Sequence, residues 1–160
     1  MDIKTIPLSE DSVQFVHDVF EQNIEILHGS LITIVEWKKY IFGEYADPYE
    51  QHYIILADEK PAAWLKLNGL NSNNICISML VVDDKFKRQG IGSYAVRFTE
   101  EYAVINNKKA IRIQTTKDNL AATHFYLKQG YQILKTINYA VGDGILRDGY
   151  EFFKRIQPIK

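Results

Sequence analysis

The sequence is poor in cysteine, in charge of one sign and in long apolar runs, and each shortage excludes a class of protein. A single Cys among 160 residues permits no intrachain disulfide. The Met-Asp-Ile-Lys start lacks the basic-then-apolar pattern of a secretory signal, so a cytoplasmic protein is expected. No apolar run approaches the roughly 18 to 20 residues that cross a bilayer, and no membrane partner is expected. The longest run, 75–82, is broken by Ser78. Lys plus Arg number 19 against 20 Asp plus Glu, a net charge of −1. That balance supplies no sequence-wide basic field for neutralising phosphates, so no nucleic-acid partner is expected. The four His show no pair at metal-ligand spacing, and no metal is expected. Repeats, low-complexity tracts and Pro/Gly/Ser linkers are also missing.

What is present is 46% apolar residues in a chain of 160, enough for one self-sufficient core and hence a single domain over 1–160. Residues 3–7 read as a strand. Ser9 is a candidate helix cap, followed by Val13, Val16, Phe20, Ile24 and Leu27 at helical spacing as far as His28 and Gly29. Thr33 and Glu36 fit a capping box that opens a second helix, ending near Gly43. The runs 52–57 and 62–67, joined by Asp58, Glu59, Lys60 and Pro61, read as a hairpin that 74–82 extends. A helix from Gly90 to about Asn106 and a strand over 110–115 then make a βαβ unit. A helix over 120–129, capped by Asn119 and stopped at Gly130, precedes two last strands at 131–139 and 149–155. This order predicts a mixed sheet with helices on both faces.

The chemistry concentrates between the third hairpin strand and the next helix. There Lys85, Lys87 and Arg88 place three cations in four positions just before Gly90 and Gly92. A strand that turns through glycines into a helix presents unpaired backbone NH groups at a positive helix terminus, where a phosphate approaches closely. Nearby cations complement a pyrophosphate. Gly-x-Gly alone is equally compatible with a structural turn, and the cations with a solvated one.

These residues resemble the cofactor-binding signature of the GNAT superfamily of acyl-CoA-dependent N-acetyltransferases. That signature is a strand ending Leu-x-Val, then Gln or Arg, two residues, Gly, one residue, Gly or Ala. Leu80 and Val82 match the strand end and Gly90 and Gly92 the glycines. Lys87 stands at the Gln-or-Arg position, and Asp84 where Pro is common. A later family pattern is matched by Asn119, Ala122, Phe125, Tyr126, Gly130 and Tyr131. The resemblance is close over about 74–139 and holds elsewhere in topology. It implies a single-domain α/β fold (α+β by some schemes), with a mixed, mostly antiparallel sheet of about seven strands and helices on both faces. It also implies N-acetylation of a primary amine, on a small molecule or a peptide, by direct transfer from acetyl-CoA in a ternary complex. The fourth and fifth strands would diverge to admit the cofactor.

By the same resemblance, Leu80 and Val82 would pair with the pantetheine arm, and the backbone of Arg88, Gln89, Gly90, Ile91, Gly92 and Ser93 would hold the pyrophosphate beside Lys87. Asn119 would touch the pantetheine or cap its helix. Tyr126 would donate a proton to the departing thiolate; without the motif it reads as half of an aromatic pair with Phe125. Segments 9–43 and 140–148 would line the acceptor site. A homodimer through the late strands is a further option, with Tyr150, Phe152 and Phe153 serving either that contact or the core. Where some relatives carry a catalytic Glu, this sequence has Cys76 in the fourth strand and Gln114 in the fifth. Glu36, Glu50, His52 and His124 remain candidate bases, and none is singled out. Cys76 admits a covalent acyl-enzyme, but its apolar sequence neighbours favour a small buried hydrophobe. The competing functional reading is a non-catalytic acyl-CoA-binding regulatory module. A dinucleotide site is a weaker one, since its third Gly would fall on Ala95.

Overall fold

The computed structural model describes residues 1–157. In chain order they form β1 (Ile3–Pro7), a 3-10 turn (Glu10–Ser12), α1 (Val13–Gln22), α2 (Ile34–Ile41), β2 (Gln51–Ala57), β3 (Lys60–Asn68) and β4 (Asn74–Val82). A second 3-10 turn (Asp84–Phe86), α3 (Ile91–Ile105), β5 (Ala110–Thr116), α4 (Leu120–Lys128), β6 (Gln132–Ala140) and β7 (Leu146–Arg155) complete the fold. One seven-stranded sheet runs β1-β2-β3-β4-β5-β7-β6. Only the β4/β5 pair is parallel, as the crossover through α3 requires.

Adjacent residues on each inner strand point to opposite faces, which gives the sheet two apolar layers. Ile54, Trp64 and Val81 pack against α1 and α2 through Val16, Val19 and Trp37. Ile55, Leu65, Ile75, Ile113 and Phe152 pack against α3 and α4 on the other face. Among the described residues no helix is long and apolar enough to cross a membrane.

Five details depart from the sequence-based expectation. The first helix stops at Gln22 rather than near His28: Asn23 Nδ2 donates back to the Val19 carbonyl, and 23–29 close as separate turns. Ser9 makes no side-chain cap there, because a 3-10 turn precedes α1. Lys60 and Pro61 belong to β3, leaving Asp58 and Glu59 as a two-residue turn with both φ values left-handed, 47° and 67°. The last strand starts at Leu146 rather than Gly149, so the expected loop over 140–148 shrinks to 141–145. Leu146 through Asp148 lie largely exposed and lack the alternation that would have marked them. The capping box is half realised: Thr33 Oγ1 accepts the Glu36 amide at 3.1 Å, while the Glu36 carboxylate takes the Thr33 hydroxyl at 3.4 Å instead of a backbone NH.

The seam between β4 and β5 positions everything that follows. Pairing begins at Asn74 with Ala110 and ends at Ile77 with Ile113. At that point β4 carries a bulge: Leu67 pairs with Ile77 and Lys66 with Met79, so Ser78 is an extra residue. Bulges bend a strand and increase its local twist. Beyond Ser78, β4 pairs only with β3, while β5 from Gln114 to Thr116 pairs only with β7. The sheet opens there.

Candidate active site

A cleft of about 610 Å³ lies on the α3/α4 side of the opening. Leu80 and Val82 line one wall along the unpaired edge of β4, and Asn119, Ala122, Phe125 and Tyr126 of α4 line the other. Lys87, Arg88, Gly90, Ile91, Gly92 and Ser93 form one end. The structure therefore brings together every residue expected to contact the cofactor except Gln89, whose side chain instead donates to the Lys85 carbonyl at 3.1 Å. Lys85 is likewise outside the lining.

The helix terminus is built as an anion cradle. Gly90 is the residue before α3, left-handed at φ 83°, and no side chain caps the first turn, so those amides have no acceptor from a cap. The carbonyl of Gly90 continues the helix by accepting from Tyr94 at 3.0 Å. A Cβ at Gly90 would meet nothing within 4 Å, so glycine is needed there for its backbone conformation. At Gly92 the reason differs: a Cβ would sit 3.1 Å from the Phe125 ring. Of the two lining cations, Lys87 is partly committed, with Asp84 at 2.7 Å and Asn23 Oδ1 at 3.4 Å. Ser93 Oγ accepts from Gln129 at 2.9 Å, tying the start of α3 to the end of α4.

Asn119 caps α4, its side-chain oxygen accepting the Ala122 amide at 3.1 Å. Its NH2 makes no hydrogen bond among the described residues and is left for a ligand. Tyr126 is 7% exposed, its ring packed against Phe125 and Phe152 at centroid distances of 5.0 and 5.8 Å. Among the described residues its hydroxyl makes no hydrogen bond. Burial, reinforced by the nearby Cys76, pushes the phenol well above its ordinary pKa, so it stays protonated. The aromatic packing and the position in the cleft hold at once.

A second cleft, of about 460 Å³, opens on the opposite face at the same seam. Cys76, Ser78 and Gln114 form its floor, and Ile26, Leu27 and Asn119 line both clefts. Ile26 and Leu27 come from 23–29, the segment that leaves α1 early. This segment straps the seam: His28 Nε2 lies 2.8 Å from Asp118 Oδ2, and a Cβ on Gly142 would come within 3.0 Å of Gly29 Cα. The Asp118 carboxyl is held below its ordinary pKa, first by the Thr116 hydroxyl and then by His28. The expected acceptor segments thus contribute through Phe20, Ile26, Leu27 and Gly29 and through Ala140, Val141 and Gly142.

Both positions at which relatives carry a Glu therefore do face this cleft, as Cys76 and Gln114. The thiol is pushed up to about 11 by burial, which outweighs the opposing pull of Arg112. Arg112 is the register partner of Cys76 across β5, a cation invisible to a search of sequence neighbours. Of the candidate bases, Glu36 and His124 are exposed on helices away from the cleft lining. Glu50 and His52 form a half-buried chain: Trp64 Nε1 donates to His52 Nδ1 at 3.1 Å, and His52 Nε2 faces Glu50 Oε2 at 3.3 Å. Burial raises the Glu50 carboxyl, but the His52 hydrogen bond and the Lys66 charge outweigh it, and the net shift is downward. Sequence reasoning missed Lys66, which lines the second cleft, and Glu151, which is 3% exposed and bonded to Arg112 and Gln114 at 3.2 and 3.3 Å. Each is a charged residue within a strand of apolar neighbours, and that was the available signal.

Comparison with known proteins places this architecture. In complex with CoA and spermine, the spermidine N-acetyltransferase of Vibrio cholerae aligns with a TM-score of 0.82 at 13% identity, covering 96% of this chain and 95% of its own. The ribosomal-protein-S18-alanine N-acetyltransferase of Escherichia coli aligns with a TM-score of 0.74 at 13% identity, over 99% and 97%. An N-acetyltransferase of Staphylococcus aureus Mu50 gives 0.80 at 10%, over 98% and 100%. At such identities the likeness is one of fold. A search of curated protein sequences gives no match. The family model for the acetyltransferase (GNAT) family matches residues 17–131, a span containing the cradle, the seam and Tyr126. The chain belongs to the acetyltransferase (GNAT) family.

Proposed function

We propose that this enzyme moves an acetyl group from acetyl-CoA to a primary amine by direct transfer, with the two substrates meeting at the β4/β5 seam. The observation that carries the reading is that two clefts on opposite faces of the sheet meet where the bulge at Ser78 parts the strands. The pyrophosphate of the cofactor lies on the amides that open α3, beside Lys87 and Arg88. Its pantetheine arm extends β4 along Leu80 and Val82, as an added strand would. The amine nitrogen enters from the second cleft and attacks the thioester carbonyl. As the carbon–sulfur bond breaks, Tyr126 gives its hydroxyl proton to the sulfur and regains one from solvent. Burial weakens the phenol as an acid, and the same surroundings raise the proton affinity of the departing thiolate.

The surplus proton of the ammonium goes to water. Among the described residues lining the second cleft there is no carboxylate and no His. Turnover should therefore rise with pH until the acceptor amine itself is neutral, rather than level off at a carboxylate or imidazole pKa. Cys76 stays protonated at neutral pH and takes no acyl group.

Thermal unfolding with acetyl-CoA, coenzyme A, NAD and ATP side by side tests the cofactor assignment. A ligand at a hundred times its Kd adds about 2.7 kcal/mol, several degrees for a domain of this size. A rise confined to the two coenzyme A species is expected. A rise with NAD alone, or with none, overturns the reading; coenzyme A binding without turnover of any amine would return the protein to a binding module.

A further inference from the structure

Resting on the acetyltransferase reading, we infer that the acceptor is a free α-amino acid with an apolar side chain, its carboxylate held by Lys66. The second cleft has one charged lining residue among those described, and it is a cation. Lys66 sits on β3 opposite Met79, and its carbonyl accepts from Ser78 Oγ at 3.4 Å, so it stands beside the bulge where the amine must arrive. Its side chain is 24% exposed and its ammonium is 3.6 Å from Glu50 Oε1, a contact long enough to leave donors for a ligand.

The nearby carboxylates are spoken for. Glu50 faces His52, Glu151 is bonded to Arg112 and Gln114, and Asp118 holds His28 and Thr116. None lines the cleft. An extended polycation would therefore bring its second ammonium to a wall that offers only Lys66 and neutral groups. An acceptor with an anion next to its amine meets the reverse. The lining also includes Phe20, Ile26, Leu27 and Val141, apolar surface that suits a hydrocarbon side chain.

The test is steady-state kinetics with acetyl-CoA and four acceptors: L-leucine, L-leucinamide, 3-methylbutylamine and spermidine. They are compared at equal concentrations of the uncharged amine, so that differences in protonation drop out. Leucine is expected to exceed each of the others in kcat/KM by about tenfold or more, the value of a charge-assisted hydrogen bond. Lys66→Gln should collapse the ratio of leucine to 3-methylbutylamine about tenfold, and Lys66→Arg should largely restore it. Equal use of leucine and its decarboxylated counterpart, or a preference for spermidine or leucinamide, would overturn the inference while leaving the acetyltransferase reading intact. So would a ratio unchanged in Lys66→Gln. Coenzyme A binding with no turnover of leucine would likewise overturn it, whereas the absence of coenzyme A binding would bring down both.

Discussion

At the scale of single residues, two glycines separated by one position hold different jobs. Gly90 is required by a left-handed backbone in open space, and Gly92 by the Phe125 ring 3.1 Å from where a Cβ would stand. Gly92→Ala should weaken acetyl-CoA binding roughly tenfold, an overpacking cost of about 1–2 kcal/mol. Phe125→Leu in the same chain should recover most of it by making room. Calorimetric titration of the single and double variants measures both. A further prediction follows from the half-buried thiol of Cys76. The ordinary pKa is 9.0 and the folded one about 11, so the folded state holds the proton more tightly than the unfolded. Stability is then undiminished below about pH 9 and falls as pH rises through about 11. Cys76→Ala should lack that component, so its stability relative to the parent should improve by about 2–3 kcal/mol between these limits in urea titrations. Tyr126→Phe should lower kcat about a hundredfold with little change in cofactor affinity, as expected when a proton donor is lost. Equal kcat would remove Tyr126 as the acid.

At the scale of elements, local signals carried a great deal. Thr33 and Glu36 marked the start of α2, and Asn119 with Gly130 bracketed α4, because capping is decided within a few residues. Thr33→Ala should cost about 1 kcal/mol, a fall in Tm of about 2–4 °C by calorimetry. The strap over the seam was not legible. Its spacing of Ile24 and Leu27 fits a helix, and what ends α1 is a side chain turning back on the Val19 carbonyl. What then seats the strap is a partner 90 residues away in sequence, Asp118. Asp118→Ala should speed thermolysin cleavage within residues 23–33 severalfold and leave cleavage elsewhere unchanged.

At the scale of the whole molecule, both cores share the same strands: Ile54 and Ile55 are neighbours in β2 yet belong to opposite layers. Losing one layer therefore strips a face from the sheet that supports the other. Trp37→Ala, which removes edge contacts with Phe20 and Trp64 at 5.2 and 5.4 Å, should cost about 3–5 kcal/mol and still unfold in a single transition with an unchanged urea m-value. The first cleft was readable because most of its groups lie in two short stretches of sequence, 80–93 and 119–126. In the second cleft Cys76 and Gln114 were reached only through the resemblance, and Lys66 and Tyr139 not at all, since the four come from four strands and only the sheet register sets them together. The open seam has one more consequence. Beyond Ser78, alternate backbone amides of β4 face no strand, so in the free protein they should trade hydrogen for deuterium quickly while those of Ile75 and Ile77 stay protected. A pantetheine arm laid along that edge would slow them, and its footprint would be written in the mass of one short peptide.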